Sequence, residues 1–139
     1  MSAPAIADIR AGIAANLTAN LPGNIGIFPY RQANPVLPSV QVTGLDEMEA
    51  SSMQGGSYSL VFIVQAFVAT VTDQGGQRLL DEFLYPTGTA SIWAALESDR
   101  TLAGAALASA VLRNDGTQLL NLPNNIQVLG SSWFVQVEI

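Results

Sequence analysis

The stretch SYSLVFIVQAFVATVT, residues 57–72, constrains the fold more than any other part of the chain. It is dense in Val, Ile and Phe, and both of its alternating faces are apolar. Tyr58, Leu60, Phe62 and Val64 fall on one face, and Val61, Ile63, Phe67 and Val71 on the other. A strand of that kind belongs in the middle of a sheet, covered on both sides by helices or by another subunit. Its apolar run is too short for the ~20 residues of a membrane-spanning helix and contains Gln65.

The flanking segments supply the rest of one domain, residues 1–139. Residues 4–20 predict an opening helix, since Ile6, Ile9, Ile13 and Leu17 recur at spacings of three and four. Ser2 and Pro4 suit its start, and Leu21-Pro22-Gly23 its stop. A strand follows around NIGIFPY, then a proline-bearing path through Pro35 and Pro38, then SVQVTG (39–44) with Val40 and Val42 pointing inward. DEMEASSMQGGS (46–57) predicts an acidic surface loop or hairpin tip. After the long strand, Asp73 is a helix cap, and Leu79, Leu80, Phe83 and Leu84 form the apolar side of a helix over about 75–85. Arg78, Asp81 and Glu82 face outward from it. Thr89 or Ser91 caps a short helix carrying Ile92, Trp93 and Leu96. LASAVLR, an Asn-Asp-Gly turn signal, TQLLNL, a polar PNN break and IQVLGSSWFVQVEI then read as strands, with Trp133, Val135, Val137 and Ile139 alternating inward. The alanines of 101–113 also permit helix there. The expected order is α-β-β-β-α-α-β-β, an α+β fold with one mixed, mainly antiparallel sheet.

The chain contains no cysteine and no histidine, and its five basic residues (Arg10, Arg31, Arg78, Arg100 and Arg113) are all arginines. No Ser-His-Asp or Cys-His nucleophile system can be assembled, and no ordinary structural zinc site. Without lysine there is no Schiff base, Walker lysine or Ser-Lys dyad, and the glycine pairs at 55–56 and 75–76 fit no phosphate-binding loop. A two-carboxylate hydrolase survives this exclusion, drawing on Asp46, Glu47 and Glu49 or on Asp81 and Glu82. Both groups also read as solvated surface. No catalytic, cofactor or metal-binding residue is assigned.

Eleven carboxylates against five scattered arginines give a net charge of −6, so no basic patch exists to grip a phosphate backbone. Charged residues make up only 12% of the chain against 49% hydrophobic, which fits either a neutral polar surface or one partly hidden by other chains. The N-terminus has acid and base where a signal peptide would be apolar, so a soluble protein made in the cytoplasm is expected. Trp133 reads as core. Trp93 is suited to packing on the sheet or to a subunit contact.

In its order of elements the whole chain resembles the tail terminator proteins of long-tailed bacteriophages. The likeness runs from IADIRAGIAANLTANLPG into NIGIFPY and NPVLPSVQVTG. It continues through SLVFIVQAFVATVTDQGGQRLLDEFL to SIWAALESDRTLAGAA and the closing WFVQVEI. The resemblance implies a virion protein that forms a homo-oligomeric ring, hexameric in the family. Such a ring caps the tail tube, ends its polymerisation, and docks to the head-completion protein of the filled head. DNA would pass through the hole without specific binding, and no enzyme activity, cofactor or membrane is implied. Related head-tail joining proteins share parts of the layout, and a small glycan- or ligand-binding module is the alternative from another class. For ring interfaces, Asp46, Glu47 and Glu49 of the acidic stretch, Arg78, Trp93 and Arg100 are the expected contact residues.

Overall fold

The computed structural model describes residues 6–32, 38–50, 58–69, 74–102, 104–121 and 127–139. The caps expected at Ser2, Pro4 and Asp73, together with Pro35, residues 51–57, Val71, Ala103 and the PNN break, lie outside them. Three helices, α1 (Ile6–Asn20), α2 (Gln74–Leu84) and α3 (Ile92–Leu96), accompany a six-stranded sheet. Its strands are β1 (Gly26–Phe28), β2 (Ser39–Ala50), β3 (Tyr58–Ala69), β4 (Ala108–Asn114), β5 (Gln118–Asn121) and β6 (Gln127–Glu138). Their spatial order is β1-β2-β3-β6-β4, with β5 also on β6. β1 and β2 run parallel, and every other pairing is antiparallel. The α+β class and the element order are those expected, with the penultimate strand broken in two.

The long apolar strand lies in the middle of the sheet, between β2 and β6. Leu60, Phe62, Val64 and Ala66 of β3 share a face with Val40 and Val42 of β2 and with Trp133, Val135 and Val137 of β6. All three helices pack on that face through Ile9, Ile13 and Leu17, Leu80 and Phe83, and Ile92 and Leu96. Ile6, the first residue of the predicted stripe, is exposed. Ser91 caps α3 by accepting a hydrogen bond from the Ala94 amide at 3.1 Å. Leu102 holds a left-handed φ of 52° because its buried backbone and side chain sit against α1 at Gly12, where a Cβ would lie 2.6 Å from the Leu102 carbonyl oxygen.

Two expectations are corrected. The acidic stretch at 46–50 is strand, because β3 offers Glu47, Met48 and Glu49 pairing partners in Val61, Leu60 and Ser59. Two bulges, at Thr43 and Asp46, shift the alternation and then restore it. The Asn-Asp-Gly signal also does not reverse the chain. β4 and β5 both run antiparallel to β6, so they form one edge kinked at 115–117. Gly116 takes φ 76° there, its amide donates to Asn114 Oδ1 at 2.8 Å, and Asn114 Nδ2 ties the kink to Ser131 Oγ. The alanine-rich segment resolves as strand from Ala108.

Candidate interaction surface

The helices cover one side of the sheet. On the other, cross-strand register aligns Ser59 with Glu138, Val61 with Gln136, Ile63 with Phe134 and Gln65 with Ser132. Within one chain the second face of β3 is covered at one end, where Phe67 and Val128 are buried with Leu120 against them, and Val61 is buried further along it. The rest of this face is satisfied by its own side chains. Gln136 Nε2 donates to Ser59 Oγ at 2.8 Å and to Glu138 Oε1 at 3.1 Å, and Gln65 Nε2 donates to Ser132 Oγ at 3.2 Å.

Glu47 and Glu49 project onto this open face, since they pair with Val61 and Ser59. With Leu112 and Gln136 these four line a recess of about 150 Å3. That is well under the ~300 Å3 at which small-molecule pockets begin. The carboxylates sit two residues apart on one strand, roughly 7 Å along it, on an exposed surface without an aromatic platform in the recess. At this recess the geometry offers a contact surface and gives no support to sugar hydrolysis.

The other expected contact residues are dispersed. Asp46 occupies the bulge and is exposed. Arg78 is on the outer side of α2, in a groove of about 440 Å3 shared with Asp81, Glu82 and Tyr85. Trp93 is partly buried against the core. Arg100 pairs with Glu97 at 3.5 Å beyond the end of α3. Trp133, read as core, is fully buried.

Sequence reasoning missed the edge formed by β4 and β5. Leu107, just before β4, is 75% exposed, Leu112 50% and Leu119 52%. These are the exposed leucines among the described residues, and all lie along this edge. Leu112 leans over the open face into the recess, while Leu119 lies opposite Leu129 on the helix side. The signal was present as leucine inside the otherwise small and polar LASAVLRN and TQLLN, but nothing local marked it as an edge. Sheet edges ordinarily carry charge or proline to prevent association. Here Arg113 is the edge strand's basic residue, and it is occupied: it pairs with Asp115 and lies over the Phe134 ring, 3.8 Å from its centroid. Glu97 reaches across to accept the Val111 amide at 3.1 Å, closing one edge donor.

The opposite edge, at β1, is basic and aromatic. Arg10 lies 4.7 Å from the centroid of the exposed Tyr30 ring and donates to the Pro29 and Val42 carbonyls at 2.9 and 2.7 Å. Exposed Arg31 follows. Among the described residues, Arg100 pairs with Glu97 and Arg113 with Asp115.

Among the described residues no three His, Cys, Asp or Glu side chains gather as metal ligands, and no helix is long and apolar enough to cross a membrane. Comparison with protein-family models finds no match, and no curated protein matches the chain.

Proposed function

We propose that this chain is a structural virion protein, a tail terminator that assembles as a ring on the end of a phage tail tube. The observation that carries the reading is the one-sided sheet, whose helix-free face and leucine-bearing edge are left for neighbours to cover. Exposed apolar edges of this kind mark association sites. The order of elements shared with tail terminators supports the same reading. In this role the ring halts tube growth, presents a docking surface to the head-completion protein, and leaves a central hole for DNA. A lysine-free chain with net charge −6 suits that passage, because phosphates are not held.

Light scattering on a sizing column, with negative-stain imaging of the protein mixed with tail tubes, tests the reading. Closed rings, free or at tube ends, are expected. A monomer that ignores tube ends would refute it, and binding to filled heads without tubes would reassign it to head-tail joining. A ring imaged with a basic lumen would remove the passage argument.

A further inference from the structure

We infer that the leucine edge and recess of one copy receive the Tyr30–Arg31 corner of a second copy, head to tail. This rests on the ring reading and names the surfaces that would close it. Three observations point to this occupant.

The first is charge. Glu47, Glu49 and Glu138 lie on the open face, and no ion pair engages them among the described residues. The nearby guanidinium of Arg113 is committed to Asp115, and Arg100 is committed to Glu97. An edge of this composition meeting its own copy would bring the carboxylates together without a cation, which is unfavourable. The same chain presents the exposed Arg31 just after β1, beside Arg10, which is itself bound to the Pro29 and Val42 carbonyls.

The second is shape and polarity. Leu112 supplies an exposed apolar anchor in the recess and Leu107 a second one at the start of the same edge, and Tyr30, half exposed, supplies an aromatic ring already held by Arg10. Aromatic and arginine side chains are the usual anchors of protein interfaces. The recess between Glu49 and Gln136 takes one side chain, and Arg31 of the next copy has the length and charge for it.

The third is placement. β1 and β4 are the opposite ends of the strand order, roughly 19 Å apart at the usual strand spacing. One copy can therefore hold two neighbours at once, as a heterologous interface that closes into a ring demands.

The test uses the full chain in two variants of exposed residues, Leu107→Asp with Leu112→Asp at the edge and Tyr30→Ala with Arg31→Glu at the corner. Unchanged circular dichroism melts check that both fold. Oligomer size is read by light scattering, or by decoration of tail-tube ends if the wild type assembles only there. Each variant alone is expected to lose every species above monomer. An equimolar mixture is expected to give dimers and nothing larger, because one intact edge meets one intact corner. Arg31→Glu combined with Glu47→Arg and Glu49→Arg in one chain is expected to restore assembly. If the corner variant assembles like wild type while the edge variant does not, the edge meets itself and the head-to-tail inference is overturned. If both assemble like wild type, other surfaces close the ring and the inference fails while the ring reading stands. A wild type that stays monomeric at every concentration and on tubes removes both.

Discussion

At the scale of single residues, Gly130 shows how tightly β6 and β3 approach. A Cβ there would lie 2.1 Å from the Ala66 carbonyl oxygen and 2.9 Å from Leu120 Cδ1. Backbone cannot yield as a flexible side chain would. Gly130→Ala is therefore expected to destabilise the fold by about 3 kcal/mol, the upper part of the usual overpacking range. Urea unfolding measures this, and a midpoint equal to wild type would show that the strands can separate. Trp133 makes the complementary case. Its alternation in WFVQVEI is legible from sequence alone, and burial follows from that pattern. The indole N–H, by contrast, finds no partner among the described residues, which no local pattern signals, because partners of buried polar atoms are set by distant elements.

At the scale of elements, α3 and the β4 edge depend on single side chains. α3 has five residues, too few to persist alone, and Ser91 Oγ satisfies one of its free amides. Ser91→Ala is expected to cost about 1 kcal/mol and Ser91→Asp to keep the cap, both read from thermal unfolding. Glu97 ties the end of that helix to β4. Removing its carboxylate by Glu97→Ala leaves the Val111 amide to solvent, and about 1 kcal/mol of stability should go with it. Glu97→Gln keeps an acceptor oxygen and should restore it. Amide hydrogen exchange at Val111 is the measurement: faster exchange in the alanine variant alone is expected, and equal rates in all three proteins would mean the carboxylate does not guard the edge.

Elements also show where legibility ended. The helices were readable because apolar spacing of three and four is a local signal, as at Ile9, Ile13 and Leu17. The 46–50 segment was not, since its acidic and small residues have weak strand preference and become strand only because β3 supplies the pairing. Asn114-Asp115-Gly116 misled in the opposite direction. Its local chemistry is that of a turn, yet β6 is long enough to pair with residues on both sides of it, and the turn became a kink.

At the scale of the whole molecule, the proposed assembly through the open face and edge would combine two forces that salt separates. Pairs between Glu47 or Glu49 and Arg31 of a neighbour would be screened within about 8 Å at physiological ionic strength and more strongly above it. Contacts of Leu107 and Leu112 would not be. Raising salt from roughly 0.05 to 0.5 M is expected to loosen the oligomer without dissolving it, measured by sedimentation. An oligomer indifferent to salt would show that the carboxylates take no part.

The sequence by itself determined the class of the fold, the central place of the long apolar strand, the buried stripes of the helices and the lack of the histidine, cysteine and lysine that the usual nucleophile systems need. Each of these follows from composition or from periodicity within a few turns or strand repeats, which neighbours in the chain can express. Only the tertiary structure decided which sheet face the helices leave open, that Glu47 and Glu49 share it with Leu112 and Gln136, and that the exposed leucines line one edge. Strand order and register bring together residues more than sixty positions apart, and loop closure, pairing and packing choose that order jointly.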